Sequence, residues 1–72
     1  MTITERLIKD SNIKYVLTGA KEYGLVMTEF RFTSTLQADN FLNWLALNIE
    51  RYDGDVTQYY KNDGLTVTVE FK

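Results

Sequence analysis

The side chains that most often do chemistry are missing from this chain. Its 72 residues include no His and no Cys. It therefore lacks the usual general base poised near neutral pH, and it has no thiol nucleophile, thiolate ligand or disulfide. What remains is oxygen chemistry. Asp53 and Asp55 flank Gly54, and Asp63 lies in a second Gly-containing stretch a few residues on. Paired carboxylates serve acid–base catalysis, and clustered ones hold hard cations. Yet Asp, Asn and Gly are also the ordinary residues of helix stops and hairpin turns. The alternating oxygen ligands and distal Glu of a calcium loop are absent. Ser34 and Thr35 have no base placed beside them by any motif and read as helix caps. Gly19–Gly24 lacks the glycine density and the Lys-Ser/Thr of a phosphate loop. No catalytic, metal or cofactor site is expected.

The elements that must position any site follow from periodicity. A helix is predicted from Thr35 to Tyr52. At about 100° per residue, Ala38, Phe41, Leu42, Leu45, Ile49 and Tyr52 form a core-facing stripe. Leu36, Trp44 and Leu47 gather on the opposite side, where a surface helix should meet water. Thr2-Ile3-Thr4-Glu5 has capping-box spacing and predicts a short helix to about Lys9. Alternation predicts a strand over Ile13–Leu17, a loop over Gly19–Gly24, and a second strand from Leu25 to Thr33 with Val26, Thr28, Phe30 and Phe32 on one face. After the long helix, Gly54 is placed to take a left-handed stop, and Val56–Tyr60 reads as a short strand. Asn62-Asp63-Gly64 is turn chemistry, and Leu65, Val67, Val69 and Phe71 alternate along a final strand. The order (α)ββαββ makes two antiparallel hairpins. The expected fold is a single two-layer α+β domain, a four-stranded antiparallel sheet packed under one long helix.

Phe30-Arg31-Phe32 leading into Ala38-Asp39-Asn40-Phe41, then Leu42, Leu45 and Ile49, resembles the middle of the pterin-4a-carbinolamine dehydratase family. Tyr60-Lys61-Asn62 followed by Val67 and Val69 is similar to that family's end. The resemblance covers roughly residues 25 to 72 and implies a related fold that oligomerises by strand pairing and helix packing. It does not carry the activity across. The family's His-His-Pro segment is replaced by Tyr52-Asp53-Gly54-Asp55, its Thr-His by Glu70-Phe71-Lys72, and its closing helix is lacking. A member with this sequence would be catalytically dead or repurposed.

A net charge of −2, with eight Lys and Arg against ten acids, supplies no phosphate-binding stripe. Tyr15, Tyr23, Tyr59, Tyr60 and the Phe30/Phe32 pair could form a base-stacking platform, but core packing explains the two Phe without a ligand. Nucleic acid is therefore not an expected partner. No apolar run approaches the roughly 18–20 residues of a membrane span, and no signal-peptide pattern opens the chain. A soluble, cytoplasmic protein is expected. Chains this small bury only about 60% of their unfolded surface, so self-association is a natural source of stability. The expected interface comprises Leu36, Asn40, Trp44, Leu47 and Arg51, with Asn43 and Asn48 in its polar rim. Sheet-edge pairing through Val56, Gln58, Tyr59 and Tyr60, or through Ile13–Leu17, would extend it. Alternatively Ile3, Leu7 and Ile8 cover Trp44 from within. The functional expectation is a non-enzymatic homo-oligomeric interaction module. A vestigial pterin-like small-molecule binder and a viral or mobile-element accessory protein that inhibits a host enzyme are the alternatives.

Overall fold

Thr2 begins the first helix because its side chain and that of Glu5 satisfy each other's backbone amides. Thr2 Oγ1 accepts from Glu5 N at 3.1 Å, and Glu5 Oε1 accepts from Thr2 N at 2.9 Å. Asn12 ends it in the left-handed region at φ 58°, a conformation Asn tolerates. The computed structural model describes residues 1–72, in the order α1 (Ile3–Ser11), β1 (Leu17–Tyr23), β2 (Met27–Phe32), α2 (Thr35–Asn48), a 3-10 turn (Ile49–Tyr52), β3 (Val56–Lys61) and β4 (Thr66–Phe71). Ser34 caps α2, its hydroxyl accepting from Gln37 N at 3.3 Å. The fold is α+β, with the sheet order β1-β2-β4-β3 and every neighbouring pair antiparallel.

Register decides which face is buried. Thr28 lies opposite Val69 and Phe30 opposite Val67. Residues opposite each other share a face, so these four line the inner surface with Phe32. Phe41 of α2 sits on it, its ring 5.1 Å from Phe30 and 5.3 Å from Phe32. Leu7, Ile13, Ala38, Leu45, Tyr52 and Val56 complete the buried core. α1 belongs to the same layer. Its Thr4 hydroxyl meets that of Thr28 at 2.8 Å inside the protein, and every buried side-chain polar atom has a partner.

Three expectations need correction. The first strand does not occupy Ile13–Leu17, and Gly19–Gly24 is not a loop: β1 runs from Leu17 to Tyr23. Ile13 is pulled into the core behind α1, while the strand itself is exposed along nearly its whole length. An edge strand buries little, so it needs no apolar alternation. The second strand correspondingly starts at Met27, because Gly24-Leu25-Val26 forms the hairpin turn, with Gly24 at φ 59°. The glycines after the long helix also act differently. Gly54 does not adopt a positive φ, and neither does Gly64. Gly64 is small for another reason: a Cβ there would stand 3.0 Å from the Thr35 methyl group at the start of α2.

Candidate interaction surfaces

The helix stripe divides in the structure. Leu36 and Leu47 point to water, 63% and 86% exposed. They are eleven residues apart, about 16 Å along the axis at about 1.5 Å per residue. Trp44 is not on their face. It lies about 60° round the helix from Phe41, and its ring stacks on Phe41 at 6.2 Å and approaches Tyr52 at 6.0 Å. Three residues at 100° each leave it on the flank of the core stripe, where the chain after α1 runs past. Ser11, Asn12, Ile13 and Val16 line the crevice beside it, with Gln37 and Asn40 on the α2 side. Leu7 goes into the core instead. The predicted polar rim is partly used internally. Asn48 Nδ2 donates to the Trp44 carbonyl at 2.8 Å, and Arg51 Nη1 donates to Asn48 Oδ1 at 3.3 Å. Arg51 also pairs with Asp10 of α1 at 3.5 Å. Asp10 accepts in addition from the Tyr52 hydroxyl. Burial first, and then this bond to a carboxylate, push the Tyr52 phenol up to about 12.

The aspartates do not converge. Asp53 and Asp63 stand beyond opposite ends of β3, a strand of six residues and thus about 20 Å long. Asp55 pairs with Arg6 at 3.5 Å. Asp63 closes the β3–β4 hairpin, its Oδ1 accepting from Leu65 N at 2.8 Å and from Thr66 N at 2.9 Å. The Leu65 amide above all holds its carboxyl below the usual range. No group of three or more His, Cys, Asp or Glu side chains is placed to hold a metal ion.

The two sheet edges are β1 and β3. On β3, Tyr59 faces inward opposite Val69, and Gln58 and Tyr60 face outward opposite Glu70 and Thr68. The outward pair is fixed by one carboxylate. Glu70 accepts from Gln58 Nε2 at 2.8 Å and from the Tyr60 hydroxyl at 2.9 Å. These bonds, Gln58 first, lower the Glu70 carboxyl, and the Glu70 carboxylate raises the Tyr60 phenol. Lys61, the strand's single charge, is drawn to Asp39 of α2 at 2.6 Å. Lys on an edge usually guards it against pairing; this one is neutralised from within.

No helix covers the outer face of the sheet. Gly19, Lys21 and Tyr23 of β1 lie beside Arg31, Glu29 and Met27 of β2, which lie beside Thr66, Thr68 and Glu70 of β4. Glu29 accepts from the Tyr23 hydroxyl at 2.7 Å and from Asn62 Nδ2 at 3.1 Å. A shallow depression at the β1 side is lined by Gly19, Ala20, Lys21, Glu29, Arg31 and Thr66. The aromatic platform does not form here. Phe30 and Phe32 lie inside under Phe41, while Tyr23 and Tyr60 sit on opposite edge strands. A signal for this face was present in the sequence: Arg31 lies between Phe30 and Phe32, so it must point away from whatever they bury against.

No protein family, curated protein or solved structure matches the chain.

Proposed function

We propose that this chain is a non-enzymatic, homo-oligomeric interaction module that pairs with a second copy through the β3 edge. The observation that carries the reading is the self-complementarity of that strand. In an antiparallel pair, opposite residues share a face, so a two-fold axis perpendicular to the sheet passes midway between one residue and its own copy. An axis at Tyr59 sets Tyr59 against the partner's Tyr59, and Gln58 against the partner's Tyr60. No like charges meet, and aromatic cross-strand pairs contribute about 0.2–1 kcal/mol each. Glu70 holds Gln58 and Tyr60 in place beforehand, which lowers the entropy lost on docking. Leu36 and Leu47 offer a second contact on the outer helix face. A dehydratase-like ancestry for such a module is proposed with it, on the sequence resemblance of Phe30-Arg31-Phe32 and Ala38-Asp39-Asn40-Phe41 alone.

Light scattering on size-fractionated protein tests the proposal. A dimer is expected for the native chain, and a monomer of unchanged helicity for Gln58→Lys/Tyr60→Lys, which sets cation against cation across the axis while leaving Glu70 partnered. Leu36→Glu and Leu47→Glu should leave a β3 dimer intact. A monomeric native chain would sink the reading, and dissociation by the helix variants alone would move the contact to the helix face.

A further inference from the structure

We infer that the other edge, β1, is a docking site for an extended segment of a different protein that carries a carboxylate opposite Gly19. This goes beyond the β3 self-pairing and stands on a separate strand. Gly19 lies opposite Arg31, and Arg31 opposite Thr66, in one row across the outer face. A strand added outside β1 would place its own side chain at the head of that row. Strands lie about 4.8 Å apart, so the added residue and Arg31 would be roughly 10 Å apart at their Cα atoms. Only the missing side chain of Gly19 leaves the way between them open.

Nothing inside the fold requires glycine there. Gly19 has no positive φ, and a Cβ would meet nothing within 4 Å. The notch is bordered by two cations, Arg31 and Lys21, that make no ion pair within the chain, although Arg31 stands near enough to Asp63 to help lower its carboxyl. The chain's ion pairs join Arg6 to Asp55, Arg51 to Asp10 and Lys61 to Asp39. Arg31 makes one long bond, from Nη1 to Thr66 Oγ1 at 3.4 Å, and Lys21 rests over the Tyr23 ring at 5.1 Å. The neighbouring carboxylates are turned to other donors, both Glu29 oxygens to Tyr23 and Asn62, and Asp63 Oδ1 to the Leu65 and Thr66 amides. A guest carboxylate on Arg31 would complete a charge-assisted pair of the stronger kind.

The charges also select against a second copy as guest. An axis at Lys21 opposes Lys21 to its copy, and one at Glu22 opposes the two glutamates. An axis at Ala20 sets the partner's Lys21 over Gly19, facing Arg31. β3 carries no acid, so β1–β3 docking between copies supplies no carboxylate either. The pairing stretch is bounded, because a bulge between Leu17 and Gly19 leaves Gly19–Tyr23 as the regular part. Main-chain bonds along it give affinity, and the row over Gly19 gives specificity.

A displayed library of nine-residue peptides, panned against the full chain, tests the inference. Enrichment of Asp or Glu at one position, flanked by alternating β-branched or aromatic residues, is expected. By fluorescence anisotropy, the enriched peptide should bind Gly19→Leu and Arg31→Gln about tenfold more weakly or worse. It should bind Gln58→Lys/Tyr60→Lys as it binds the native chain, and amide exchange should slow along Gly19–Tyr23. Unchanged melting of both β1-side variants separates lost docking from lost fold. No enrichment, a consensus without an acid, or full binding to Gly19→Leu would overturn the inference. So would acetate or inorganic phosphate alone perturbing Arg31 as strongly as the peptide, which would reduce the site to a simple anion contact.

Discussion

Tyr52 joins the ends of both helices through a single hydroxyl. Its ring is buried with Trp44 beside it, Arg6 and Arg51 lie over it at 5.2 and 5.8 Å, and its OH is given to Asp10. The fold favours the neutral phenol, whose pKa is raised from 10.0 to about 12. A raised acid pKa means that this group's stabilisation is complete below about pH 10 and is lost as pH climbs toward 12. Denaturant midpoints measured across that range should fall for the native chain and flatten for Tyr52→Phe. At the acid end the sign reverses. Glu5, Asp63 and Glu70 all titrate below their ordinary values of 4.5, 3.8 and 4.5. Their contribution is held above those values and disappears as pH falls below about 4, so Asp63→Asn should blunt the acid limb. Phe41 is the residue whose loss the fold can least absorb, since it contacts both sheet phenylalanines and Trp44. Phe41→Ala should cost about 3–5 kcal/mol in chemical denaturation, a large share of what a domain of this size possesses. A variant that unfolds at the native midpoint would place the ring outside the core.

Among the elements, those that bury a regular face were legible and those that do not were obscure. Phe30 and Phe32 on one strand and Val67 and Val69 on another alternate because one side meets the helix layer, and they lie opposite the residues their periods demand. The capping box at Thr2 and the cap at Ser34 were equally readable, since each is a local exchange of hydrogen bonds. Thr2→Ala should cost about 1 kcal/mol and release the amide of Glu5 to exchange, measurable by NMR. β1 escaped detection because Gly19-Ala20-Lys21-Glu22 has almost nothing buried to alternate with. Trp44 was misplaced because a wheel assigns direction from the Cα, whereas a long indole on the flank of a stripe can still turn inward. The β3 edge was anticipated as a strand, but the Lys61–Asp39 and Glu70 contacts that shape it join residues far apart in sequence. The notch over Gly19 was invisible for the same reason, since it exists only once β1 and β2 are in register.

At the scale of the whole molecule, the helix layer lies on one side of the sheet and the two edge strands remain available. No helix is long and apolar enough to cross a membrane. Only 15 of 72 residues are buried, so stability gained on association is a substantial fraction of the total. If β3 pairs with a second copy, the melting temperature should rise with protein concentration, and calorimetry over a hundredfold range would show it. A concentration-independent transition would speak for a self-sufficient monomer. The sheet order has one more consequence, for the chain as it is made. β4 is the last strand in sequence, yet it lies between β2 and β3. While a ribosome still holds residues 66–71, β2 lacks one neighbour and β3 has none, so the inner face cannot close around Phe41. Synthesis from the N-terminus therefore yields at most the β1–β2 hairpin and nascent helices until β4 has emerged, and the sheet closes only once residues 66–71 are clear of the ribosome. Arrested nascent chains should stay protease-sensitive until the arrest point lies well beyond residue 71, then become resistant in a single step.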